Sequence, residues 1–186
     1  MAGYNSKNHG FSLIEMLVVM AIIAFVAGGL VINFRSTAVN GTGRRQAVQA
    51  FINDIRDAQS KTLSGSAFKG APVCGYGIHY IDQNSYVIYA KSPPGAGTCR
   101  ASVSTRNYTA GQDVVVATKK LTNTNMKFQA SFNDFYFEMP ESRTYLDNNY
   151  LLKFAVPIPI TIVPTSGTGN TTITIYLSGR IDTTEQ

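Results

Sequence analysis

The sequence predicts an α+β fold, one long N-terminal helix followed by an antiparallel β-sheet domain, and three observations carry that expectation. Residues 11–34 form an apolar run with a single charge, Glu15. Residues 44–63 repeat apolar side chains at helical spacing. From residue 72 onward the chain turns to β-branched and aromatic runs separated by Gly, Pro, Asn and Asp. The 186 residues suffice for one membrane segment and one globular domain with a real core.

Residues 1–10 are short, polar and hold one Lys, so they read as a leader rather than as structure. An ordinary secretory signal places its apolar core before a small-residue cleavage site. Here the polar leader ends at Gly10, before the apolar run, and no A-x-A pattern follows. As a helix, the twenty-four residues of 11–34 span about 36 Å, enough to cross a hydrocarbon core of roughly 30 Å. Gly28-Gly29 softens that helix, at about 1 kcal/mol per Gly relative to Ala. Glu15 is the expensive residue. A carboxylate costs roughly 2.5–3.5 kcal/mol at mid-membrane and less near the surface, so it is expected to have a partner and a purpose.

Residues 35–65 are expected to form an amphipathic helix with a break at Asn40-Gly41-Thr42-Gly43. Val48, Phe51, Ile52, Ile55 and Ala58 line one face, with Arg45, Gln49, Arg56 and Gln59 on the other. The helix, roughly 44–63, ends at Ser64-Gly65 and seats its apolar stripe on a sheet. The remainder, 66–186, is the β-rich globular domain. Tyr76–Ile81 and Ser85–Ala90 flank Asp82-Gln83-Asn84 as a hairpin. Further strands are expected at Asp113–Thr118, Met126–Ala130, Asp134–Glu138, Tyr150–Val156 and Thr171–Leu177. Pro157, Pro159 and Pro164 place Ile158–Val163 at an edge or outside the sheet.

Formal net charge is +5, unevenly spread. Residues 35–127 carry twelve Lys/Arg against four Asp/Glu, and 128–186 carry three against six. Such a basic half attracts nucleic acid or anionic surfaces, or is simply a solvated face. Arg100, Arg106, Lys119, Lys120 and Lys127, near Tyr108 and Phe128, are the candidate DNA contacts: the cations would meet phosphates, and an exposed Tyr would stack on single-stranded bases. The thiols are Cys74 and Cys99. If the domain lies outside the cytoplasm, a disulfide is the natural reading, closing a loop worth roughly 3.5 kcal/mol in the chain-entropy model. The alternative is two buried free thiols. No convergent set of Cys and His signals a metal, and no cofactor is expected.

Chemistry has little to stand on. His79 falls in an expected strand, where packing or surface placement is the default. Glu138 and Glu141 flank Met139-Pro140 without further partners for acid–base work. Gly95-Ala96-Gly97 reads as a turn near Cys99, and no nucleophile or phosphate-cradling motif is present. The chain is not expected to be an enzyme.

The run Gly10-Phe11-Ser12-Leu13-Ile14-Glu15-Met16-Leu17-Val18-Val19 resembles the class III signal of type IV pilins and type II secretion pseudopilins. The resemblance covers about 25 residues and implies a prepilin peptidase cut between Gly10 and Phe11, with N-methylation of Phe11. Glu15 then becomes the membrane carboxylate that neutralises the terminal amine of a neighbouring subunit. Two buried charges that compensate when paired would fix axial register. A second resemblance lies downstream. Phe51-Ile52-Asn53-Asp54-Ile55-Arg56-Asp57-Ala58-Gln59 and the ending Ile173-Thr174-Ile175-Tyr176-Leu177-Ser178-Gly179-Arg180-Ile181 are similar to GspH/FimT-type minor pilins, whose fold is a long helix packed on two β-sheets.

The resemblance implies a single pass in the cytoplasmic (inner) membrane before assembly, a C-terminal domain outside the cytoplasm, and other pilin or pseudopilin subunits as partners. DNA is a further partner if the filament serves DNA uptake. One observation points the other way. Lys7 precedes the span whereas Arg35, Arg44 and Arg45 follow it, so charge counting alone would keep the C-terminal domain inside.

Overall fold

The computed structural model describes residues 13–93, 99, 105–139, 143–149 and 156–186, with the backbone alone for 30–40. It divides into two compact units, Met1–Val39 and Asn40–Gln186. One helix, α1 (Leu13–Leu63), has residues in both. The expected break at Asn40-Gly41-Thr42-Gly43 is corrected: helical backbone runs through it. A helical Gly costs only about 1 kcal/mol relative to Ala. Gly43 also has a packing reason to be small, because a Cβ there would collide with the Asn123 side chain. The sequence signal coincides instead with the boundary between the units.

The helix stops where expected. Gly65 takes a left-handed φ of 65°, Gly65 N–H donates to the Thr62 carbonyl at 3.1 Å, and Ser66 N–H donates to Lys61 at 3.0 Å. These two bonds satisfy carbonyls that a helix end otherwise leaves orphaned, and the positive φ they need favours Gly.

The second unit carries nine strands among the described residues. β1 (Gly75–Asp82), β2 (Ser85–Lys91), β3 (Val114–Lys120), β5 (Phe135–Glu138) and β6 (Arg143–Leu146) form an antiparallel sheet in the order β3-β2-β1-β5-β6. β4 (Met126–Phe128), β7 (Ile158–Pro164), β8 (Thr171–Ile175) and β9 (Ile181–Glu185) form the other, in the order β4-β7-β8-β9. The β1–β2 hairpin is the one the sequence predicts. Of the expected strand Tyr150–Val156, residues 150–155 lie outside the described residues, and Val156 is exposed and not in a strand.

The expectation that Ile158–Val163 sits at an edge or outside the sheet is overturned, since β7 lies between β4 and β8. The prolines are tolerated because the two pairings are staggered. Pro159 lies in the half of β7 that pairs only with β8, and Pro164 in the half that pairs only with β4. Each therefore needs a ladder partner on one side alone, and a missing N–H on the other side breaks nothing. Ile158, Ile160 and Ile162 alternate inward, as a period of two requires.

The core unites the helix with both sheets. Ala47, Val48, Phe51, Ile52, Ile55 and Ala58 pack in one cluster with Tyr76, Ile78, Tyr86 and Ile88 of the first sheet and Ile160, Ile162, Ile173 and Ile175 of the second. Phe51 is its centre, with ring centroids 4.8 Å from Tyr86, 5.4 Å from Phe128 and 5.9 Å from Phe132. The helical stripe read from the sequence is the stripe that is buried.

Candidate functional site

Two regions hold the candidate residues. The first is the N-terminal part of α1. Glu15 stands in its first turn, where a carboxylate interacts favourably with the helix dipole by a few tenths to 1 kcal/mol. Around it the apolar side chains are exposed on every side of the helix: Leu13 is 85% exposed, Ile14 72%, Leu17 62%, Ile22 59% and Phe25 88%. A helix that is apolar all round is not a water-facing surface. It belongs in a membrane or among other helices. Gly10 and Phe11 lie outside the described residues. Among the described residues no helix is long and apolar enough to cross a membrane. The apolar stretch with described side chains ends at Gly29, short of the ~20 residues a span takes.

The second region is the outer face of the first sheet, opposite the helix. Strand β2 is buried along its whole length because something covers that face too. Val87, Tyr89, Tyr136 and Tyr145 form a separate cluster there, joined by Tyr108. The loop 105–113 lies across them and is held by polar contacts. The Tyr89 hydroxyl donates to the Arg106 carbonyl, and Tyr108 N–H donates to the Asp134 carboxylate. Lys91 Nζ meets both oxygens of Asp113 at 2.7 and 2.8 Å. Arg106 donates to Glu138 Oε1 through Nε at 3.1 Å and Nη2 at 2.6 Å, while the Tyr145 hydroxyl donates to the other oxygen at 2.7 Å. Burial, then the nearby Glu138 charge, raises the pKa of Tyr136; burial does the same to Tyr89. Gly77 permits the arrangement, since a Cβ there would enter the Tyr89 ring.

This geometry redistributes the proposed DNA contacts. Arg106 is not a free cation but one half of a buried ion pair, its side chain 13% exposed. Lys119 is exposed and lies 3.4 Å from Asp54. Lys120 is exposed and Lys127 half-buried; Arg100 lies outside the described residues. Of the aromatic residues paired with them, Phe128 is fully buried in the core, and the ring of the half-buried Tyr108 packs at a tilt, its centroid 4.7 Å from His79 and 5.4 Å from Tyr89. Among the described candidates, Arg106 and Lys119 lie against carboxylates of the same chain, so part of the basic excess is neutralised internally.

His79 is engaged as well, its Nδ1 2.7 Å from Asp134. Glu141 lies outside the described residues. No group of three or more His, Cys, Asp or Glu capable of holding a metal occurs among the described residues. Cys74 and Cys99 are joined as a disulfide, Cα–Cα 5.2 Å, which ties the start of β1 to the segment after β2. The ion pairs over the outer face are what sequence reasoning missed. Their partners are far apart in the chain, and nothing local distinguishes Lys91 or Arg106 from a surface cation.

Residues 5–31 match the family model of the prokaryotic N-terminal methylation motif. That is the class III prepilin signal, and it covers Gly10, Phe11, Glu15 and the exposed apolar turns described above. The match supports a type IV pilin or pseudopilin, a subunit processed by prepilin peptidase and assembled with other pilins. No curated protein and no solved structure matches the chain. DNA receives no support as a partner from these comparisons.

Proposed function

We propose that the protein is a minor pilin or pseudopilin subunit of the GspH/FimT kind, cut between Gly10 and Phe11, anchored by residues 11–34, and drawn into a type IV pilus or type II secretion pseudopilus by its N-terminal helix. The observation that carries this reading is the coincidence of the methylation motif with a helix that is apolar on all sides and holds one carboxylate in its first turn. Within a filament, Glu15 neutralises the amine of a neighbouring Phe11, and the apolar turns gain the cover that their own chain does not give them. The helix seated on two β-sheets, and the strand β8 in which the segment 173–181 opens, support the GspH/FimT resemblance. The disulfide suits a domain outside the cytoplasm and weighs against the charge-counting orientation. The role is structural rather than enzymatic, in keeping with His79 and Glu138 being engaged in internal contacts.

The test is made in cells carrying the assembly system. Glu15→Ala and Glu15→Gln should insert, be processed and keep the disulfide, yet fall at least about tenfold in the filament fraction, an effect equivalent to ~1.4 kcal/mol or more. A Gly10→Val chain should accumulate as an uncut membrane precursor. Wild-type incorporation of both Glu15 variants would refute the docking role.

A further inference from the structure

The two sheets have four edges, and the described residues treat them differently. β3 carries a register shift opposite Ile88/Tyr89 and ends in Lys119-Lys120. β4 has only three residues and is further held by Phe128 N–H donating to the Gln83 carbonyl at 2.7 Å. β6 has four residues and opens with Arg143. Bulges, lysines, brevity and cover are the usual devices against strand addition. β9 is short as well, but among the described residues it carries no register shift and no lysine, and it pairs on one side alone. It runs five residues, Ile-Asp-Thr-Thr-Glu, in unbroken register with β8, and Thr183, Thr184 and Glu185 are exposed.

The phase of its ladder can be read from its ends. Asn170 and Gln186 exchange two backbone bonds at 2.9 and 3.0 Å, and Tyr176 N–H donates to the Arg180 carbonyl at 3.0 Å. With the printed register, the hydrogen-bonded pairs are then Thr172 with Thr184 and Thr174 with Asp182. Ile181, Thr183 and Glu185 therefore turn their N–H and C=O groups away from β8, toward the open edge. Two carboxylates would ordinarily guard such an edge against a second copy. Here Asp182 is met by Arg180 at 2.9 Å and Glu185 by Arg45 at 3.4 Å, so the guard is neutralised within the chain.

From this we infer that β9 is a docking edge for β9 of a second copy of this chain, paired antiparallel about Thr183. The outward triad is symmetric about that residue. Thr183 then faces its own equivalent, Ile181 faces Glu185, and Asp182 faces Thr184, so no like charges stand opposite one another. The contact is isologous, with the same patch used by both partners, and it joins two four-stranded sheets into one. A strand of this length buries less than a typical stable interface, so the contact works between copies already concentrated side by side. The inference rests on the pilin reading only for the membrane that brings copies together; the edge itself belongs to the β domain.

The experiment uses full-length chain in its native membrane, oxidised and run on non-reducing gels. A hydrogen-bonded antiparallel pair places Cα atoms about 5.5 Å apart, within disulfide reach. Thr183→Cys should therefore yield reducible homodimer at about ten times the level given by Thr184→Cys, whose copies lie offset beyond the ~7 Å limit. Chains bearing Ile181→Cys and Glu185→Cys should link to each other when co-expressed, and neither should link to itself. An intact Cys74–Cys99 bond in each variant, read by mass spectrometry, shows that the domain has folded. Folded Thr183→Cys that stays monomeric, equal yields at positions 183 and 184, or linkage to a different protein would each overturn the assignment.

Discussion

Residues 13–29 and the β domain obey opposite economies. In the first, Leu, Ile, Val and Phe are exposed on every side, so the free energy of covering them lies in whatever surrounds the helix. In the second, helix, two sheets and a covering loop satisfy one another: the large aromatics are buried, and even Lys91, Arg106 and Glu138 find their counter-charges inside. One region is a promise of assembly and the other a finished object. Sequence changes should accordingly be felt as lost assembly in the first and as lost stability in the second.

The sharpest way to break that contrast is to truncate one apolar side chain in each. Phe51→Ala removes a fully buried ring from the centre of the core and should destabilise the β domain by about 3–5 kcal/mol. Leu17→Ala, 62% exposed, should leave its thermal or denaturant midpoint unchanged. A comparable loss of domain stability from Leu17→Ala would show that the two regions are not separate in energy.

Next in size is Arg106→Ala, which takes from the buried Glu138 carboxylate the guanidinium that donates to it twice. Removing one member of a buried pair costs about 3 kcal/mol or more, to be read from urea unfolding. A surface cation would give within about 0.5 kcal/mol, so the same measurement decides between an internal strut and a DNA contact.

The smallest effect at neutral pH, and a growing one above it, comes from the tyrosines. Burial raises the pKa of Tyr86, Tyr89 and Tyr136, and the Asp54 carboxylate that accepts the Tyr86 hydroxyl at 2.6 Å adds to it for Tyr86. Their stabilisation is fully present below the unfolded pKa of about 10 and is lost as pH rises from there toward the folded values. Stability should be flat from pH 7 to 9 and then fall, at up to about 1.4 kcal/mol per pH unit for each tyrosine held neutral. A Tyr86→Phe chain should show a shallower fall, and an unchanged slope would remove Tyr86 from the account.

Legibility followed range. The helical stripe of Val48, Phe51, Ile52, Ile55 and Ala58, the stop at Ser64-Gly65 and the hairpin about Gln83-Asn84 are local patterns, and each appears where the residues place it. Gly10, Phe11 and Glu15 form a contiguous motif, so the signal is readable without any fold. β7 was misplaced because its prolines argue against a central strand residue by residue, whereas the stagger that accommodates them is a property of two partners. β6 and β9 are short and polar, with Arg143-Thr144 and Asp182-Thr183-Thr184-Glu185 giving no apolar alternation. The pairs Lys91–Asp113 and Arg106–Glu138 are invisible for the same reason: charge at one position says nothing about what folds over it.

The covering loop has a consequence for the order in which the domain comes apart. β2 is sandwiched, with Tyr86, Ile88 and Ala90 in the main core and Val87 and Tyr89 under the loop. Fraying of the edge strand β3 reaches the β2 amides that bond to it, but those that bond to β1 lie between two covered faces, so they should be among the last to exchange hydrogen with solvent, at a free energy close to that of global unfolding. A protease working on the folded domain would find its nicking sites elsewhere, and the strand bearing Tyr86 and Tyr89 would survive until the whole domain opened.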